Sequence, residues 1–214
     1  MDTPAARGDR HAVRRHPERA SYDRSALYAV LDGAFMAHVA FAIDGQPFVI
    51  PMLHARDGDR VLLHGSVSGR LLQALAGGPP CSLAVTLLDA LVLARSQFSH
   101  SVNYRSAVVF GRAHEIVDLD EKARCLYRFT DAVLAGRAAD SRAADASELA
   151  ATKVLAVTIE DASVKQRSGG PKDHPHDMLL PVWAGVVPLR MTHGPPEVDP
   201  AGVRVPLPAY LRDA

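Results

Sequence analysis

The segment His64-Gly65-Ser66-Val67-Ser68-Gly69-Arg70 carries the densest set of groups able to hold an anion. It follows the apolar run Val61-Leu62-Leu63 and leads into residues 67–76, which read as a helix. Backbone N–H groups at a helix start are unpaired, and the helix dipole adds partial positive charge there. Ser66 and Ser68 would add hydroxyl donors, Gly65 and Gly69 would let the backbone come close, and Arg70 would supply a planar charged fork. These parts suit the phosphate of a mononucleotide. They equally suit a serine that caps a helix and an arginine in solvent. His64 has two readings as well: a donor or proton shuttle near neutral pH, or an ordinary histidine at a strand end.

Three other places could touch a ligand. Asn103-Tyr104-Arg105-Ser106 is a polar cluster at the start of an apolar strand, able to reach a ligand from a rim or to serve as ordinary surface. Lys165-Gln166-Arg167 puts two cations just after a strand, for phosphate or ring oxygens or simply for water. Trp183, the single tryptophan, sits among prolines as a core or interface anchor or as a stacking ring for a cofactor. Asp173-His174-Pro175-His176-Asp177 lacks helical histidine spacing and a matching third ligand, so no metal is expected. The centre of Gly65-Ser66-Val67-Ser68-Gly69 is valine, so there is no nucleophile elbow, and hydrolase chemistry has no support.

The elements that must position these groups are mostly strands. A helix near Ala26, Leu27, Val30 and Leu31 opens the folded part. Val39, Phe41 and Ile43 alternate, Asp44-Gly45 makes a tight turn, and Phe48 to Leu53 returns as a hairpin partner. Asp57-Gly58 turns the chain again into Val61-Leu62-Leu63. Cys81–Ala94 and Tyr104–Val117 read as long strands, and Lys153–Glu160 alternates as another. Between them lies a helix with Leu126, Phe129, Val133 and Leu134 on one face, then a small-residue loop over 136–147. Three parts follow: a mobile tail over 1–20, a ligand-binding domain over 21–166, and an extended Pro- and Gly-rich arm over 167–214.

Composition sets outer bounds. Lys plus Arg and Asp plus Glu are 24 each among 214 residues, so no net field draws the molecule to nucleic acid or to an anionic membrane. Two cysteines, Cys81 and Cys125, are too few for a disulfide framework. No apolar run is long enough for a membrane span or a signal sequence, and a cytoplasmic location is expected.

With these segments in order, the chain resembles the pyridoxamine 5'-phosphate oxidase-like flavoproteins, in particular their nitroimidazole-resistance reductase branch. The likeness is carried by Phe48-Val49-Ile50-Pro51-Met52, the His64–Arg70 segment, Asn103-Tyr104-Arg105-Ser106 with Val108-Val109-Phe110-Gly111, and Trp183-Ala184-Gly185-Val186-Val187-Pro188. The resemblance implies a mainly β protein with peripheral helices, built on a six-stranded antiparallel split β-barrel. It also implies a homodimer with FMN in clefts at the subunit interface. Val49, Ile50, Pro51 and Met52 would then run along the flavin ring. His64, Gly65, Ser66, Ser68 and Arg70 would hold its phosphate end, with Arg105, Ser106, Lys165 and Trp183 as further contacts. The implied activity is FMN-dependent transfer of hydride or electrons to a small acceptor, the flavin performing the chemistry. Leu189-Arg190-Met191-Thr192-His193 matches the vitamin B6 oxidases only loosely, so pyridoxamine phosphate is not the expected substrate. The alternative is a flavin- or haem-binding module without turnover, with His174, His176 or His193 as an axial ligand.

Overall fold

The computed structural model describes residues 9–203 and 205–212. Eight strands form its centre: β1 (Ala20–Ser21), β2 (Met36–Ile43), β3 (Gln46–Asp57), β4 (Arg60–Ser66), β5 (Pro80–Leu93), β6 (Ser101–Glu115), β7 (Thr152–Arg167) and β8 (Gly185–Pro188). Four helices surround them: α1 (Arg24–Asp32), α2 (Arg70–Ala76), α3 (Leu119–Val133) and α4 (Ala146–Ala151). Among the described residues, no helix is long and apolar enough to cross a membrane.

The mainly β character with peripheral helices is as expected, but the six-stranded antiparallel split β-barrel is corrected. The strands make one eight-stranded antiparallel sheet, ordered β1-β7-β4-β3-β2-β5-β6, with β8 added on β5. A barrel has no edges. Here β1 pairs only with β7, and β8 pairs only with β5, so the sheet has edge strands that the Arg-rich start and the Pro-rich arm conceal in the sequence. The join between β2 and β5 is short, limited to His38–Ala40 against Ser82–Ala84. Long ladders lie elsewhere: β6 pairs with β5 and also, from Tyr104 to Glu115, with β7, which bends the sheet around its core.

Local sequence explains the main turns. Asp44 and Gly45 both have positive φ, 50° and 80°, as a two-residue hairpin turn between β2 and β3 requires. Alternation then sorts side chains to two sides of β4. Val61 and Leu63 face the main core with Val39, Leu83, Val85, Val109, Leu155 and Val157, which α1 and α2 close with Leu31 and Leu75. Leu62 faces the other way, into a second cluster with Ala55, Val154, Ala156, Cys125 and Phe129 beneath α3. Each such fully buried aliphatic side chain contributes roughly 1.5–3 kcal/mol. Cys81 lies in the main core, and burial pushes its thiol up to about 11, so it stays protonated and inert.

The α3 start is capped by the Asp118 carboxylate, which accepts from the Glu121 N–H at 2.8 Å. The stretch expected as a loop over 136–147 runs into a helix not foreseen. At its start the Asp145 carboxylate accepts from the Glu148 N–H, and Glu148 accepts from the Asp145 N–H, a reciprocal capping box. Residues from 9 onward lie along β7, where Arg10 bonds Glu160 and Asp161 at 3.0 and 2.9 Å. The arm is tied down at Arg95, whose backbone and side chain both donate to Asp173, and at Arg167, which donates to Asn103 and to the carbonyls of Gly169 and Gly170. Its far end is held by Tyr210, which donates to Asp140 at 2.7 Å and accepts from Arg137 at 3.2 Å.

His54 gives the fold a pH dependence. It is fully buried, its Nε2 lies 3.0 Å from the Leu31 carbonyl, and its Nδ1 has no partner. Burial lowers its pKa, so the folded state binds fewer protons than the unfolded state just below the ordinary histidine range. Stability therefore rises with pH through that range and is lost as pH falls below the unfolded value, about 6.5. Urea unfolding at pH 7 and pH 5 is expected to show lower stability at pH 5, with a smaller difference in His54→Gln.

Candidate functional site

The chemistry gathers on the outward side of β4. Alternation turns Leu62, His64 and Ser66 out and Gly65 in, where an added Cβ would stand 3.0 Å from Leu72. The β3–β4 ladder ends at His54 opposite Leu63, and beyond it His64, Gly65 and Ser66 stay paired with Val154, Lys153 and Thr152 of β7. The strand thus brings two places together: a loop after Ser66 and a cavity beside His64.

In the loop, the Ser66 and Ser68 hydroxyls lie 2.9 Å apart, and the Gly69 N–H donates to the Ser66 carbonyl at 2.9 Å. No side chain caps α2, which begins at Arg70. The Arg70 guanidinium sits over the Phe48 ring, 5.4 Å from its centroid, and makes no ion pair with a described residue. An exposed cation, two hydroxyls and free first-turn amides offer what phosphate oxygens need.

Next to the loop, the register lays out the outer face. Pro51, His38, Ala84, Val108 and Ser163 stand in one row across β3, β2, β5, β6 and β7. Thr86, Ser106 and Lys165 stand in another. Of the four β3 residues Val49–Met52, Val49 and Pro51 are exposed, while Ile50 and Met52 pack against the core. Lys165 Nζ donates to the Arg15 carbonyl at 2.8 Å. Arg105 forks onto Asp89 at 2.7 and 3.1 Å and holds that carboxyl below its ordinary range. Trp183 is exposed on the arm, its ring against Gly185. The structure therefore brings Ser66, Ser68 and Arg70 together in one loop beside Phe48, leaves Val49 and Pro51 exposed on the other face of β3, pairs Ser106 with Lys165 across β6 and β7, and puts Trp183 on the arm.

His64 belongs to the second place. Its ring packs 4.2 Å from that of Phe129 on α3, centroid to centroid, and its Nδ1 is buried with no hydrogen-bond partner. Burial lowers its pKa, so at neutral pH it is an uncharged imidazole with a lone pair to give. It lines a cavity of about 1580 Å³. Leu53, Leu126, Phe129 and Val133 form an apolar wall, and residues 196–199, 205–208 and Leu211 of the arm form the wall opposite. His174, His176 and His193 do not line it. Among the described residues, no group of three or more histidine, cysteine or acidic side chains could hold a bare metal ion. Sequence reasoning missed the cavity because its walls come from segments about 70 and 140 residues beyond His64; the available signal was that His64 shares a face with Leu62.

No curated protein sequence matches the chain. Among solved structures, the flavocytochrome Anf3 from Azotobacter vinelandii is 41% identical, with 96% of each chain covered and a TM-score of 0.89. The FAD and heme binding protein from Mycobacterium smegmatis is 40% identical, covering 91% of this chain and 96% of its own, with a TM-score of 0.86. A putative 5-nitroimidazole antibiotic resistance protein from Bacteroides thetaiotaomicron shares the fold at 20% identity, over 68% of this chain and 85% of its own, with a TM-score of 0.59. Residues 23–166 match the family model described as pyridoxamine 5'-phosphate oxidase, the stretch that contains β2 to β6, the Ser66–Arg70 loop and nearly all of β7. The loop, the outer face and the strand that carries His64 are thus all parts of the matched region, and the chain belongs to the pyridoxamine 5'-phosphate oxidase-like family.

Proposed function

We propose that this chain is a redox protein that holds a flavin nucleotide at the corner of Ser66, Ser68 and Arg70 and a haem in the cavity beside His64. One observation carries the reading: a neutral, unpartnered histidine in the wall of a large apolar cavity. It gains weight from two relatives, each about 40% identical over more than nine-tenths of this chain, one called a flavocytochrome and the other a FAD and heme binding protein.

The residues present fit both groups. For the flavin, Arg70 and the uncapped start of α2 are free to take phosphate, and the exposed Val49 and Pro51 offer an apolar shelf for the ring. For the haem, His64 offers a nitrogen and Leu126, Phe129 and Val133 offer apolar walls. A bound flavin and haem would supply two-electron and one-electron chemistry, with the protein setting orientation and access. The sequence resemblance pointed to FMN, whereas the name of the Mycobacterium relative gives FAD, so the identity of the nucleotide is to be measured. A homodimer fits the exposed apolar side chains Met36, Val49 and Leu53 on β2 and β3, and light scattering is expected to return twice the chain mass.

The absorption spectrum of the purified protein tests the reading directly. Flavin bands together with a Soret band are expected; protein that stays colourless after incubation with flavin and haem would refute it. Mass analysis of acid-released flavin separates FMN from FAD. Reduction by NADH or NADPH followed by a screen of small acceptors then tests turnover. Arg70→Ala is expected to loosen flavin retention about tenfold, the worth of one charge-assisted contact, without change in the far-UV spectrum. Unchanged retention would move the phosphate elsewhere.

A further inference from the structure

We propose that Arg124 on α3 is the carboxylate partner of the ligand in the cavity, and that it selects a porphyrin with free carboxylates over one whose carboxylates are blocked. The inference rests on the haem reading and adds a specificity-determining residue to it.

Four arginines line the cavity: Arg124, Arg128, Arg137 and Arg142. Three are already engaged. Arg128 pairs with Asp57 at 2.9 Å, Arg137 bonds Tyr210 at 3.2 Å, and Arg142 pairs with Glu148 at 2.7 Å. Arg124 alone of the four has no hydrogen-bonded or ion-paired partner among the described residues. The acids on the opposite wall, Glu197 and Asp199, make no ion pair with it. The cavity thus presents one uncommitted guanidinium beside a mainly apolar surface.

Its position suits the edge of a ligand anchored at His64. Phe129, the ring packed on His64, lies on the same helix, five residues from Arg124, a rise of about 7.5 Å and a turn of about 140°, and both side chains line the one cavity. A disc held by nitrogen at its centre would extend beyond that contact, and Arg124 would be the free cation in the lining for its peripheral carboxylates. A guanidinium binds a carboxylate through two parallel N–H donors, a geometry that glutamine cannot reproduce. Because Arg124 is exposed, its replacement leaves no buried charge behind and no hole in the core.

Wild type and Arg124→Gln are titrated with haemin and with haemin dimethyl ester, followed by Soret absorbance, and with metal-free protoporphyrin IX, followed by fluorescence. Wild type is expected to bind haemin about tenfold more tightly than the ester, and Arg124→Gln is expected to remove that preference by weakening haemin alone. Protoporphyrin IX should lose affinity in parallel with haemin, and Arg124→Lys should recover part of the loss. Equal weakening of haemin and ester, or no change in either, would overturn the assignment. If wild type binds none of the three porphyrins, the haem reading itself fails, a result distinct from loss of discrimination.

Discussion

Replacing His64 with alanine is expected to abolish the Soret band of the purified protein while the flavin bands stay. Among the described residues His64 is the one histidine in the cavity wall, and burial keeps it neutral. Removing a residue that merely supports a metal ligand costs about 10–100-fold in metal affinity, so loss of the ligand itself should cost at least that. Stability falls too, because truncation beside Phe129 leaves part of the second cluster unfilled. Two controls separate the effects. His64→Leu fills much of the space without a nitrogen and should lack the Soret band with the fold preserved. Free imidazole added to His64→Ala should restore it. A Soret band of wild-type intensity in His64→Leu would assign the ligand to another residue.

The second large effect concerns packing. Gly111 stands at the irregularity in the β6–β7 ladder next to Phe110, and a Cβ there would lie 2.0 Å from the Thr158 carbonyl oxygen, a backbone atom that cannot swing aside. Gly111→Ala must therefore push β6 and β7 apart at the register shift in the middle of their ladder. A loss of about 4 kcal/mol or more is expected, near the extreme for single substitutions. Chemical denaturation checks it, with Gly170→Ala as a comparison, since a Cβ at Gly170 meets nothing within 4 Å. Equal stability in the two variants would mean that β6 and β7 do not approach this closely in solution.

Much of the sheet was legible because period-two alternation is a local signal. Val39, Phe41 and Ile43, the Asp44-Gly45 turn, and Val61-Leu62-Leu63 announce themselves without tertiary information. What stayed hidden depends on distant partners. Ala20–Ser21 becomes a strand only because Lys165 and Val164 lie opposite, and Gly185–Pro188 only because β5 extends beyond its bulge to meet it. The α4 helix was readable from Asp145 and Glu148, but the alanine-rich composition around them suggested a loop.

The site divides along the same line. The segment from Ser66 to Arg70 stood out as a candidate from residue types alone, since a strand end, glycines, hydroxyls and a cation are consecutive. The cavity beside His64 did not, because its surroundings come from α3 and the arm. The sequence pointed for haem to His174, His176 and His193, grouped by composition in the arm. Two of these, His174 and His176, stack on each other instead, 5.5 Å apart. A histidine's neighbours in the chain say little about which volume its ring enters.

The two walls of the His64 cavity face different evolutionary constraints. The α3 wall is welded to the second cluster through Cys125 and Phe129, so substitutions there are filtered by folding. The arm residues that line the cavity, 196–199, 205–208 and Leu211, belong to neither buried cluster, and among the described residues this part of the arm is fastened to the α3–α4 connection through Tyr210. Insertions, deletions and side-chain exchanges there would alter the cavity without touching the packed clusters. Changes confined to that part of the arm can therefore resize the chamber, or open it to a different guest, while the sheet stays intact.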